Sequence, residues 1–490
     1  MKKMNLLAMS LVSAAALSFS SCSSNDDLTS GGGSNQSKVE SFYMTFAVQT
    51  PTSNGTRTQQ PTDANFKVAG TSAETTITSG TFYLVNQKTN KTVFTKHITA
   101  SELNNAAPES PVKGTTTTKI EVPVQDVDEG VTYTVYFLAN TTDATPWTSV
   151  FAPAAEKFTT TNMFDAGYAT ANNFVMFNQN DKNSKADKYT VEFKADNKDI
   201  SNAAKVNGTI MLDRVTARID KPETEATSIT AKYPEGATPE KKAAIDAEIA
   251  KVKTVTQSNY AITNLSNKTN IMQKWDDAWT ALQIPTGTEY MQKPGDLGDQ
   301  WTLNNYRWFA NAEKNYVFEN TKETPTTMYF EYVLGLDETK FSDTPDCTDG
   351  TFYRYNGVIY RSIAAIYDAY ADQPILFGGK TAEALKGELK IADGKITASD
   401  AELATFRKTN VIEVFVAGKT YYSQVITDKW LGTNTIQRNT VYKLNVKNIY
   451  NLGADVPNGK PDENKPMYYL DVEVSVNPWV LSTQDVNLGE

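Results

Sequence analysis

Leu470-Asp471-Val472-Glu473-Val474-Ser475-Val476-Asn477-Pro478-Trp479, close to the C-terminus, is the stretch from which the fold is read. Its apolar residues, Leu470, Val472, Val474 and Val476, fall on every second position, with Asp471, Glu473, Ser475 and Asn477 between them. A helix needs a period near 3.6, whereas a period of two sends alternate side chains to opposite faces of a strand. The segment is therefore expected to be a β-strand with one buried and one wetted face. Pro478 lacks the amide that a ladder requires and interrupts it, after which Trp479, Val480 and Leu481 resume the apolar character. A run rich in Gly, Lys, Pro, Asp and Asn over 458–466 joins it to what precedes. A terminal strand of this kind either completes its own sheet or is added to the sheet of another molecule.

The same alternation opens the body of the chain, where Phe42, Met44, Phe46 and Val48 are interleaved with Tyr43, Thr45, Ala47 and Gln49. Further β-branched and aromatic runs predict strands over 81–85, 92–98, 119–124, 133–139, 174–177, 189–194 and a long 205–219. In the second half they fall at 260–265, 315–319, 327–334, 351–355, 358–361, 411–416, 421–426 and 440–449. Thr, Asn, Asp and Gly clusters separate them, a pattern that predicts an all-β sandwich class. Thr238-Pro239 predicts an N-cap and first turn of a helix with Ile245, Ile249 and Val252 on one face. Shorter helices are expected over 382–389 and, behind Ser399 as N-cap, over 400–405. At 490 residues the chain exceeds one ordinary core, and the polar, Pro- and Gly-containing 222–236 reads as a boundary between two tandem β-sandwich domains.

Composition excludes several functions. A net charge of −10 with no basic stripe argues against nucleic acid as a partner. The single histidine, His97, leaves no zinc dyad, and its place in a predicted strand with no nucleophile motif nearby gives little prospect of a Ser/His/Asp triad; a glycosidase site of paired carboxylates stays open, but neither a metal, a cofactor nor an enzymatic activity is expected. Phe377-Gly378-Gly379-Lys380-Thr381 imitates the end of a phosphate loop, but Pro374 stands where that loop needs a glycine, and a surface turn is expected. Asp343, Asp346 and Asp349 lack the alternate spacing of a calcium loop and read as a solvated acidic turn.

The start of the chain is an address. Met1-Lys2-Lys3 is basic, Leu6 to Leu17 is apolar but too short to cross a bilayer, and Ser18-Phe19-Ser20-Ser21 leads into Cys22. This resembles a bacterial lipoprotein signal, with residues 1–21 removed and Cys22 lipidated. Asn25-Asp26-Asp27 resembles the acidic tags of surface-exported lipoproteins, and Gly31-Gly32-Gly33-Ser34 makes a tether. With Cys22 so used, Cys347 has no partner for a disulfide and reads as a small buried hydrophobe. Contact with a membrane is expected only through this lipid anchor.

Several fragments, in order, are similar to one family: Y-T-V-Y-F-L-A-N (133–140), F-V-M-F-N (174–178), L-D-R-V-T-A-R (212–218), Y-V-F-E-N-T (316–321), G-K-T-Y-Y (418–422), R-N-T-V-Y-K-L-N-V (438–446) and V-E-V-S-V-N-P-W (472–479). Together they resemble the major fimbrial subunits of type V pili, the FimA-like lipoprotein pilins, and among them the branch that builds the shaft of short fimbriae. Asp213 departs from the family's more usual glutamate. The resemblance implies two transthyretin-like β-sandwich domains, export as an outer-membrane lipoprotein precursor, and assembly into a cell-surface fimbrium after proteolysis. In the family a surface protease cuts after an arginine in the loop following the first strand. The match here is Arg57, with Thr58 as the new N-terminus, and Arg57 is the only arginine before Arg214.

On that basis the expected organisation is a signal peptide over 1–21, a propeptide over 22–57, sandwich domains over 58–222 and 223–457, and a linker with donor strand over 458–490. Phe42, Met44, Phe46 and Val48 would be the strand lost on maturation. Leu470, Val472, Val474, Val476 and Trp479 would be donated to the groove it vacates in a neighbouring copy. Implied partners are copies of the chain in a head-to-tail filament, accessory and anchor fimbrial subunits, the maturation protease, and a host or bacterial adhesion receptor. Two alternatives stay open: an accessory tip or anchor subunit, and a surface glycan-binding lipoprotein using Trp275, Trp279, Trp301 and Trp308 as stacking platforms.

Overall fold

Strand β1 (Ser41–Gln49) forms where the period of two predicts it, and its exposure alternates in step with its sequence. The structure, a computed structural model, describes residues 40–50, 70–104, 115–141, 157–161, 167–182, 184–303, 305–310, 314–373, 375–429, 431–459, 469–477 and 481–484. Downstream of β1 come the short helix α1 (Ser72–Thr75) and strands β2 (Gly80–Asn86), β3 (Lys91–Ile98), β4 (Thr115–Pro123), β5 (Thr132–Ala139), β6 (Met176–Asn178), β7 (Ala204–Lys205) and β8 (Ile210–Arg214). They form a sheet in the order β7-β1-β8-β6-β5-β2-β3, with β4 along β1 and the short strand Thr190–Glu192 along β5. One face of this sheet closes over Phe42, Met44, Phe46, Val48, Phe82 and Phe137.

The second half contributes β9 (Ala217–Asp220), α2 (Pro239–Ile249), β10 (Val252–Thr263), β11 (Lys314–Val317), β12 (Thr327–Leu336), β13 (Phe352–Tyr355), β14 (Val358–Tyr360), α3 (Ile363–Ala369), α4 (Ala382–Leu389), α5 (Asp400–Asn410), β15 (Glu413–Phe415), β16 (Lys419–Val425), β17 (Val441–Tyr450), β18 (Tyr469–Asn477) and β19 (Leu481–Gln484). One sheet runs β11-β9-β17-β18-β19, a second β10-β12-β16, and a third β14-β13-β15. Tyr83, Tyr136 and Leu138, on the face of β2 and β5 turned away from the β1 core, share a cluster with Phe330, Tyr442 and Leu444 of the second half. The class is all-β, as the sequence predicts.

Four details differ from expectation. The run 205–219 is not one strand: Gly208, at φ +83°, turns the chain, and after Arg214 it leaves the first sheet and enters the second as β9. Alternating apolarity is satisfied on either side of that crossing, so the pattern does not reveal it. Val252 does not extend the apolar face of α2; Ala250 caps the helix and Val252 begins β10. The expected boundary over 222–236 is not bare linker, since Glu223–Thr224 and Ile229–Thr230 both pair with β17. Finally, α3 falls outside the expectation, and with α4 and α5 it builds a separate small core around Ile363, Ile366, Leu385, Leu389, Leu403 and Phe406.

The caps behave as their chemistry dictates. The Thr238 hydroxyl accepts from the Lys241 amide, with Pro239 in the first turn. Ser399 accepts from the Glu402 amide while the Glu402 carboxylate accepts from the Ser399 amide, and the helix runs to Asn410, beyond the expected 405.

Candidate functional site: a strand groove and a terminal strand

β1 lies between two sets of backbone partners. On one side it pairs antiparallel with β4 along its whole length, from Ser41 opposite Pro123 to Gln49 opposite Thr115. On the other it pairs parallel with β7 at Met44 and Thr45 and with β8 at Val48 and Gln49. Phe42, Met44, Phe46 and Val48 are at most 1% exposed. The Phe42 ring lies 5.3 Å from Phe193, and Phe46 lies 4.9 Å from Phe82 and 5.8 Å from Phe137. Burying four such side chains is worth roughly 1.5–3 kcal/mol each, on the order of 10 kcal/mol gross. Among the described residues β4 pairs with no strand other than β1. Removing β1 would thus open an apolar trough with an unsatisfied ladder on both walls.

The terminal strand is placed by its backbone register. β18 runs antiparallel to β17, with Leu470 opposite Ile449, Val472 opposite Val446, Val474 opposite Leu444 and Val476 opposite Tyr442. Those four β17 residues are buried, so the apolar row of the tail is in register with a buried row of its own sheet. β19 folds back to pair with β18 and reaches β17 at Val441. Of the two homes open to the tail, it occupies its own sheet in this isolated chain. Cys22, Arg57, Thr58 and Trp479 lie outside the described residues.

Three of the fragments quoted above meet at one buried polar cluster where the chain crosses from the first sheet to the second. Asn439 donates from Nδ2 to Asp213 Oδ1 at 2.8 Å and accepts from Arg214 at 2.7 Å. Its φ of +54° is the left-handed region that asparagine tolerates better than most residues. Arg214 is fully buried, and its Nε donates to the backbone carbonyl of Glu74 at 2.8 Å. Burial pulls the Arg214 guanidinium down to about 10, against the opposing pull of Glu74 and Asp213, and leaves it cationic at neutral pH. Arg438 pairs with fully buried Glu319 at 2.7 Å, and Gln273 donates to the other Glu319 oxygen at 2.6 Å. Nothing in the sequence announced Glu74, 2% exposed, as a member of this cluster. Its one signal is the Thr71-Ser72-Ala73-Glu74 spacing, which suits a helix start.

The remaining signals have structural accounts. Asp346 accepts from the Ile363 amide at the start of α3, Asp343 from the Ser362 hydroxyl, and Asp349 from the Thr351 amide. Asp343 and Asp346 also pair with Arg361 and Lys386, so the turn is half-buried and bonded where a solvated one was expected. Gly378 and Gly379, at φ +70° and +82°, form a turn. Cys347 is buried, and burial followed by the charges of Asp349 and Asp346 pushes its thiol up to about 11. The tryptophans are engaged separately: Trp275 donates to the Asn180 carbonyl at 3.0 Å, Trp308 lies 5.6 Å from both Tyr306 and Tyr421, Lys185 sits 5.7 Å over Trp279, and half-buried Trp301 accepts through its carbonyl from Arg407.

Residues 413–485, which hold β15 to β19, match the family described as major fimbrial subunit protein type IV, fimbrillin, C-terminal. Over these residues the chain is thus similar to a fimbrial subunit. More particularly, the match is to the C-terminal region of fimbrillins, the family that the sequence fragments resemble. No curated protein matches the chain. Solved structures that resemble it include a fimbrilin from Porphyromonas gingivalis (14% identity, 91% of this chain and 100% of that one, TM-score 0.43). A cell adhesion protein from Parabacteroides distasonis, itself described as putative, resembles it at 14% identity over 91% of this chain and 99% of that one, TM-score 0.42. The tip fimbrial protein Mfa3 from Porphyromonas gingivalis resembles it at 12% identity over 90% of this chain and 100% of that one, TM-score 0.34.

Proposed function

We propose that this protein is the shaft subunit of a surface fimbrium, exported as a lipoprotein on Cys22, cut after Arg57, and polymerised by strand exchange. The observation that carries the reading is β1 itself. The strand is integral to the core yet ends only eight residues before Arg57, the lone arginine of the first half before the sheet crossing. A cut there would sever the covalent link between β1 and the rest of the fold and leave only non-covalent bonds to hold it. While β1 is in place the trough is filled and the precursor cannot polymerise.

The incoming strand would be the tail of a neighbour, carrying Leu470, Val472, Val474, Val476 and Trp479. It would exchange its pairing with β17 for the two walls, β4 on one side and β7 with β8 on the other. Because it trades one ladder for another, the exchange is limited by peeling, not by a net loss of backbone bonds. Its aliphatic row is smaller than Phe42, Met44, Phe46 and Val48, so the trough contracts or takes the Trp479 ring as well. Donor and acceptor are different surfaces, and repetition therefore gives an open head-to-tail filament. The reading keeps residues 58–222 and 223–457 as the two sandwich domains and 458–490 as linker and donor. Replacing Arg57 with Ala tests it: uncut lipoprotein should accumulate on the cell without fimbriae, and normal fimbriae from that variant would refute it.

A further inference from the structure

The removal of β1 raises a question that the groove alone does not answer: what holds the new beginning of the chain. We infer that Glu74 is a buried anchor for the segment downstream of the cut, positioning residues 71–78 so that β2 stays in its sheet after β1 has left. This rests on the reading that β1 is lost after Arg57.

The segment is held at several points, and none of the bonds named here involves β1. The Thr71 amide donates to Glu74 Oε2 at 2.8 Å, which closes the turn. Glu74 Oε1 accepts from Tyr316 of β11 at 2.7 Å and from Arg218 of β9 at 2.9 Å, with Lys314 at 3.5 Å. Its carbonyl accepts from Arg214 at the end of β8. The Ala73 carbonyl accepts from the Asn172 amide at 2.7 Å. Asn140, just after β5, donates to the Thr76 carbonyl and accepts from the Thr78 amide, both at 2.8 Å. β2 then begins at Gly80.

The chemistry favours a fixed anchor over a sliding contact. A carboxylate with so little exposure is stable only where it is fully bonded, and the guanidinium, phenol and ammonium come from two strands of the second sheet. The bonds to Arg214, Asn172 and Asn140 belong to the first half. Residues 71–78 are thus tied to both sheets. With β1 and its nine-residue ladder to β4 gone, they are the first fixed point among the described residues, and without them β2 would fray from its N-terminal end.

The test uses the full chain with the recognition sequence of a site-specific protease inserted after Arg57, so that cutting does not depend on the native enzyme. Amide hydrogen exchange is read by mass spectrometry in the uncut form, and in the cut form after the tail of a second copy has been supplied to displace β1, for the wild type, Glu74→Gln and, as a milder variant, Tyr316→Phe. The anchor predicts that the cut wild type keeps its protection over 80–86 within about threefold of the uncut form. Cut Glu74→Gln should lose at least about tenfold there, and Tyr316→Phe should fall between. Equal protection in cut wild type and cut Glu74→Gln, whether both high or both low, overturns the anchor. The strand-exchange reading is scored separately on residues 41–49: they leave the cut chain when the tail of a second copy is supplied, or they do not. If Glu74→Gln fails to fold, the same comparison is decided with Tyr316→Phe.

Discussion

Glu74 makes a prediction that acid titration reads directly. Burial opposes its ionisation, but the Thr71 amide, the Tyr316 hydroxyl, Arg218 and Lys314 outweigh burial and hold the carboxyl at about 2, below its ordinary 4.5. The folded chain therefore takes up this proton later than the unfolded chain does. The stabilisation is complete above the ordinary value and is lost as pH falls from 4.5 toward 2. Denaturant midpoints of the wild type should drop more steeply across that window than those of Glu74→Gln, and parallel curves would contradict the assignment. Breaking the neighbouring pair is harsher: Arg438→Ala leaves fully buried Glu319 without its guanidinium partner, and should cost about 3–5 kcal/mol in equilibrium unfolding. Cys347, with its thiol raised to about 11, should resist an aromatic disulfide reagent in the folded matured subunit at neutral pH and react once denatured.

β1 and β18 carry the same period of two but are expected to answer differently to mutation. Phe46→Ala, which empties a site between Phe82 and Phe137, should destabilise the precursor by about 3–5 kcal/mol. On the strand-exchange proposal the assembled polymer should be unaffected, because the strand would be gone from it; comparing melting of precursor and fimbriae checks this. Both strands were legible in the sequence because one buried face imposes alternation on any half-buried strand. Thr238 and Ser399 were legible as caps because only a short oxygen-bearing side chain completes a first turn. Two features were not. The crossing between β8 and β9 is hidden because both sides of it are apolar, and the buried arginines on either side look like surface residues until their partners are in place. The seat of the tail was also open, because β17 and the trough offer the same kind of ladder. In the single chain residues 469–477 lie along β17.

At the scale of the whole molecule one chain carries two surfaces: a trough closed by β1 and a terminal strand paired with β17. Deleting residues 467–490 should leave a folded, exported monomer whose trough can still be opened but which cannot fill a neighbour's, and fimbriae seen by electron microscopy in that strain would contradict strand donation. Mixing the deletion chain with wild type should shorten filaments, since it accepts a tail and offers none. The crossing cluster of Asp213, Arg214 and Asn439 lies between the two surfaces and ties the strand beside the trough to the strand beneath the tail. On the strand-exchange proposal the assembled subunit has lost its first strand. Intact mass of subunits released from purified fimbriae tests this most directly: the predicted chain begins at Thr58 and lacks residues 41–49, and a fimbrial subunit that retains them would contradict it.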